Sequence, residues 1–247
     1  MPLISRLVAC HLLAIVGAQA AAASLTLTTE DLPPYNTVSD DLKHVSGAVA
    51  DRVIEIMQRA DVGYTLAPSG WNRAYMLART QPGTCVFGTA RIAPRENMFK
   101  WVGPLGSAEW HMYVRDDDYA VANSLDGVHG ETISVYRSDA LSLYLHEHGY
   151  QVTEAENSEN SLAALLAGRA KYWATPRHAA LPLLQKMEAT DRVRYAFSFG
   201  HTDLYLACNP AVDDALIERM RQALKHMEQD GTTQRIDARY LPRDKMH

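Results

Sequence analysis

The sequence predicts an α/β protein made of two successive units, each a small sheet covered by helices. Three observations carry this. Strand-like and helix-like segments alternate from Ser24 to Ala90, and again from Trp110 to Thr175. The first half reads β-α-β-α-β, an order that implies a parallel sheet. At 247 residues the chain exceeds one typical domain but is too short for two large ones.

The order begins with a leader. Residues 1–23 carry an early positive charge (Arg6), an apolar stretch from Leu7 to Val16 broken by His11, and a small-residue run ending at Ala23. This is the pattern of a secretory signal peptide cleaved at Ala20 or Ala23, so the mature chain is expected to be exported and soluble. Ser24 to Thr28 then alternates as a strand, and Asp31-Leu32-Pro33-Pro34-Tyr35 ends it in a rigid loop. Val49, Val53, Ile56, Met57 and Ala60 fall at helical spacing behind Ser46 as a candidate cap. Tyr64 to Ala67 reads as a strand, Trp71 to Thr80 as a helix stopped at Pro82-Gly83, and Thr84 to Ala90 as the next strand.

In the second half, Trp110 to Val114 and Thr132 to Tyr136 read as strands, and Ser138 to Glu147 as a helix before Gly149. Val152 to Ala155, Lys171 to Thr175 and Leu204 to Cys208 are further strands. Ser161 to Leu166 is a helix ended by Gly168. Leu216, Met220, Leu224 and Met227 line one face of a last helix, capped by Asp213 and closed by Gly231.

Composition excludes several functions. The net charge of −5 is spread without a Lys/Arg block, which argues against nucleic acid or an anionic membrane as partner. No P-loop, dinucleotide fingerprint, nucleophile elbow or metal-ligand cluster occurs, and no cofactor is expected. Once Cys10 leaves with the leader, Cys85 and Cys208 remain. In an oxidising compartment they either form one disulfide or stay as two buried thiols.

The segment most informative about chemistry is Pro82 to Leu105. A short apolar strand delivers Arg91 and Arg95 to its end, and an aromatic segment follows. The planar fork of arginine is suited to gripping a carboxylate. Arg91 either joins that grip or pairs with Glu96.

Taken in order, six segments resemble one family. They are E-D-L-P-P-Y (Glu30 to Tyr35), G-A-V-A-D-R-V (Gly47 to Val53), W-N-R-A-Y (Trp71 to Tyr75), A-P-R-E-N-M-F-K-W-V-G-P-L (Ala93 to Leu105), L-A-G-R-A (Leu166 to Ala170) and D-G-T-T-Q-R-I-D-A-R-Y (Asp230 to Tyr240). Their sequence is similar to the bacterial periplasmic solute-binding proteins of the polar-amino-acid type, family 3. The resemblance implies a two-lobed periplasmic-binding-protein fold of type II, two α/β sheets joined by a hinge. Lobe 1 would span residues 24–106 and 200–247, with lobe 2 at 107–199. It also implies a periplasmic, non-enzymatic protein that closes on a small polar, carboxylate-bearing ligand and hands it to an ABC permease. A monomer is expected.

By the same resemblance, Arg95 holds the ligand carboxylate and Trp71 stacks on the ligand. Glu30, Asp31 and Tyr35 approach from the first loop, and Thr89 and Arg91 flank the anchor. Arg137 and Ser138, with Asp139, sit at a helix start that offers donors. The chain departs from the family at Ala90 and Ile92, where hydroxyls are common, and at residues 174–177, which lack the Asp that pairs with a ligand ammonium. A second anionic group facing Arg177 or Arg137 fits better than a plain α-amino acid. Two alternatives stand beside the importer reading. One is a dehydratase-like enzyme of the same fold using Glu30, Asp31 or Glu109; the other is a ligand sensor working through a membrane receptor.

Overall fold

The computed structural model describes residues 24–137 and 139–241, so the leader lies outside the described residues. β1 (Ser24–Thr28) buries Leu25 and Leu27, as its alternation predicts. A short hairpin, β2 (Thr37–Val38) and β3 (Val45–Ser46), leads into α1 (Ala48–Arg59). Val49, Val53, Ile56 and Met57 form the buried stripe of α1. Each contributes about 1.5–3 kcal/mol by leaving water.

The helix is capped by Gly47, not Ser46. The Gly47 φ of 130° and a Tyr35 carbonyl oxygen 2.4 Å from any added Cβ require glycine there. The freed N–H groups of Ala48 and Val49 donate to the carbonyls of Pro34 and Tyr35, both at 3.0 Å. The E-D-L-P-P-Y loop is thereby fixed against the helix.

β4 (Gly63–Leu66), α2 (Trp71–Thr80) and β5 (Thr84–Ala90) complete the first unit. A 3-10 turn at Ala93–Met98 precedes β6 (Lys100–Arg115). The second unit holds β7 (Thr132–Tyr136), α3 (Ala140–Glu147), β8 (Gln151–Ala155), α4 (Ser158–Leu166), β9 (Tyr172–Pro176) and α5 (Arg177–Lys186). β10 (Val193–Cys208) returns to the first unit, followed by α6 (Asp214–Gln229) and α7 (Thr232–Tyr240).

The strands run in the order β4-β1-β5-β10-β6-β9-β7-β8, one curled, hydrogen-bonded sheet of eight. The sequence implies two α/β sheets joined by a hinge. They are continuous because β6 and β10, 16 residues each, pair antiparallel through both lobes. Only the apolar ends of these strands, Trp110 to Val114 and Leu204 to Cys208, carry a strand signal. Gly103, Pro104 and Gly106 interrupt β6, and register shifts near Ala196, Phe199 and Tyr205 interrupt β10. The expected lobe boundaries, 106/107 and 199/200, fall inside these two strands.

Each lobe has its own core. Leu27, Ile56, Met57, Leu206 and Met220 pack in the first; in the second, Met112, Ile133 and Leu145 form one cluster and Trp173, Leu162 and Leu165 another. α5 escaped the sequence reading because Pro182 sits within it. Cys85 and Cys208 face each other across β5 and β10, fully buried, and are joined as a disulfide. Among the described residues, no helix is long and apolar enough to cross a membrane.

Candidate functional site

At the carboxyl ends of the strands, where the two lobes face, lies a partly enclosed cavity. Its volume is about 40 Å³.

The first lobe positions three of its polar or aromatic walls. The end of β1 is tied down by Thr28 Oγ1, which donates to the Ala67 carbonyl at 2.8 Å, and Thr29 Oγ1, which donates to the Phe87 carbonyl at 3.0 Å. Glu30, the next residue, lines the cavity. Trp71 opens α2, packs against Tyr75 one turn on at 5.4 Å, and is 4 % exposed. Arg95 sits on the 3-10 turn after β5 and is 3 % exposed. Its guanidinium lies 5.1 Å from the Trp71 ring centre and 5.2 Å from that of Tyr75, and Nη1 donates to the Ala90 carbonyl at 3.3 Å.

The second lobe closes the cavity with Trp110 from β6, Tyr136 from the end of β7, and Asp139. The Tyr136 hydroxyl of the second lobe faces the Glu30 carboxyl and the start of α2 across the cavity. Asp139 caps α3, its carboxylate accepting the Ala140 N–H at 2.6 Å.

These groups perturb one another. Burial, then the neighbouring Asp139 carboxylate, pushes the Glu30 carboxyl up to about 8, against the pull of the Tyr136 hydroxyl and Arg95. Burial raises Asp139 as well, with Arg95 pulling the other way. Burial also pushes Arg95 down, opposed by Asp139. Glu30 and Asp139 each keep some surface, but both line the partly enclosed cavity. A value of about 8 favours the protonated form of Glu30 at neutral pH.

The structure thus gathers Glu30, Trp71 and Arg95, with Asp139, around one space. The other expected site residues lie elsewhere. Asp31 borders a shallow outer depression and accepts the Val38 N–H at 2.9 Å. Tyr35 is fully buried, donating its hydroxyl to the Ser107 carbonyl at 3.0 Å with its ring edge-on to His178 at 5.8 Å. Thr89 is buried in β5 and donates to the Val86 carbonyl at 3.3 Å. Arg91 pairs with Glu96, Nε to Oε2 at 2.8 Å, between the rings of Trp101 and Tyr205. Arg137 is exposed, 3.8 Å from Glu156, and Ser138 lies outside the described residues.

Arg177 donates to Glu109 at 3.2 Å in an open groove that also holds His111. Glu109 and His111 alternate with Trp110 along β6, so the groove is on the sheet face opposite the cavity. Sequence reading missed Tyr136 and Trp110. Tyr136 had a usable signal, since it ends a parallel strand just before a helix.

Comparison with known proteins follows the geometry. The sequence matches the profile of the bacterial extracellular solute-binding proteins, family 3, over residues 25–243. A histidine kinase sensor domain with similarity to periplasmic binding proteins superposes with a TM-score of 0.81 at 16 % identity, covering 90 % of this chain and 97 % of that one. An ancestral arginine-binding protein bound to arginine gives 0.75 at 18 % identity, covering 89 % and 98 %. An ancestral amino-acid-binding protein, a precursor of cyclohexadienyl dehydratase, gives 0.72 at 17 % identity, covering 88 % and 95 %. At such identities these likenesses show the fold. A comparison with curated protein sequences finds no match.

Proposed function

The chain belongs to the bacterial extracellular solute-binding proteins, family 3, and we propose that it captures a small polar ligand in the periplasm by closing its lobes and delivers it to an ABC importer. One observation carries the reading: the cavity takes polar walls from both lobes, Glu30 and Arg95 from one, Tyr136 and Asp139 from the other. A ligand touching both lobes binds the closed form better than the open one, and that difference is what shifts the equilibrium. A permease then reads the closed shape. The leader pattern of residues 1–23 supports the periplasmic address.

The test is a thermal-melt panel on mature protein refolded to strip carried-over ligand, since a ligand bound only to the folded state raises the melting temperature. A dose-dependent shift, weakened about tenfold by Tyr136→Phe, which removes a polar group from the second-lobe wall of the cavity, is the expected result. A flat response to amines, amino acids, dicarboxylates and cyclic acids would count against capture of small polar solutes.

The placing of Glu30, its carboxyl pushed up by burial, in the same cavity as Arg95 favours a second reading, an enzyme. A carboxyl that keeps its proton at neutral pH beside an arginine can donate that proton to a hydroxyl leaving as water. Turnover of any cyclic hydroxy acid that binds, lost in Glu30→Gln, would support it; binding without turnover would refute it.

A further inference from the structure

The lobes also meet outside the cavity, beside the groove that Pro34 and His178 line together. Tyr35 of the first lobe presents its ring to the ring of His178 of the second, with centroids 5.8 Å apart and planes at 69°. This is an edge-on contact between two aromatic groups. Each ring is held by its own lobe. On one side, the Pro34 and Tyr35 carbonyls accept the N–H groups of Ala48, Val49 and Ala50, which fixes the loop to α1. On the other, His178 stands in the first turn of α5, directly after β9, and its neighbour Arg177 donates to Glu109 of β6 at 3.2 Å. We propose that Tyr35 and His178 form a latch that favours the closed arrangement of the lobes before any ligand binds.

The case is mechanical. β6 and β10 run through both lobes, so one lobe turns on the other about these strands. The two rings belong to different lobes, and such a turn changes their separation, whereas contact attraction decays steeply with distance. Tyr35 has no exposed surface, so withdrawing His178 would also uncover ring surface to water. The Tyr35 hydroxyl donates to the Ser107 carbonyl at 3.0 Å, where β6 passes between the lobes. That bond aims the ring at α5 and is not itself part of the latch. An aromatic pair of this geometry is worth about two- to tenfold in the ratio of closed to open protein. Neither ring lines the cavity, so the latch acts whether the cavity takes a solute or a substrate.

The test uses the mature chain, refolded to strip ligand, with one spin label on an exposed helix position of each lobe, Gln58→Cys on α1 and Glu147→Cys on α3. The Cys85–Cys208 disulfide is buried and takes no label. Pulsed electron paramagnetic resonance then reads closed and open populations as two distances. His178→Ala should shift the closed-to-open ratio about two- to tenfold toward open, and Tyr35→Leu likewise. The two together should shift it no further than the larger single change. Tyr35→Phe and His178→Phe, which each keep a ring, should hold the wild-type distribution. If Tyr35→Leu fails to fold, the two His178 variants decide alone. A wild type without a closed population, an unchanged distribution in His178→Ala, or additive shifts would each overturn the latch. Solute binding, read by the melting panel, would be untouched by that failure.

Discussion

Replacing Cys85 and Cys208 together by alanine should lower the melting temperature by about 10–20 °C. The two residues lie 123 positions apart in sequence, yet face each other on β5 and β10 in the core of the first lobe. Cross-linking across a loop of that length removes chain entropy from the unfolded state worth about 5 kcal/mol at 25 °C. A domain of this size loses roughly 2–4 °C per kcal/mol, which gives the range stated. Both sulfurs are in residues with no exposed surface, so a reductant should act only once the protein unfolds. The assay is calorimetric melting of the wild type, the double variant, and wild type reduced in denaturant and refolded under reductant. The last two should agree. A fall of less than about 3 °C in both would refute the argument that the bridge acts by closing this long loop.

Raising the pH should open the ligand-free cleft. The Glu30 carboxyl titrates at about 8 in the closed form against an ordinary 4.5, so the closed form holds an extra proton between those values. Closure is therefore fully favoured at low pH and lost as pH rises through about 8. The radius of gyration from small-angle scattering should grow between pH 6 and 9 and stay constant in Glu30→Gln; a constant radius in the wild type would contradict this. Tyr35→Phe, which removes the donor to Ser107, should cost about 1 kcal/mol in urea unfolding and leave ligand affinity unchanged. A tenfold loss of affinity would place Tyr35 at the ligand after all. Asn209→Ala removes two bonds to the Ala78 and Arg79 carbonyls at the end of α2 and should cost about 1–3 kcal/mol; an unchanged urea midpoint would show that water replaces them.

Much of this architecture is legible in the chain because its signals are local. The stripe Val49-Val53-Ile56-Met57 and the stripe from Leu216 to Met227 declare α1 and α6 whatever surrounds them. Glu30, Trp71 and Arg95 follow the carboxyl ends of successive strands, and α/β topology sends such residues to the cleft. The order of the six motif segments points to the family, and the sequence match over residues 25–243 bears that out.

Register and the meeting of the lobes decided the rest. One residue along β6 separates Trp110, in the cavity, from Glu109 and His111, in the groove behind it, and composition cannot say which face is which. Tyr35 lies in the right loop, yet the close approach of that loop to α1 turns its ring away from the cavity. The Cys85–Cys208 pairing depends on β5 and β10 being neighbours, a contact between distant parts of the chain. Asp139 reads in sequence as part of a donor-rich helix start, and in the structure its own carboxylate takes the Ala140 N–H. The upward push on the Glu30 carboxyl comes from burial and then from Asp139, 109 positions away in sequence. Periodicity and motif order are properties of neighbours in sequence, so the chain alone determined the elements and the family. Charge state, facing and enclosure are properties of neighbours in space, and only the tertiary structure could set them.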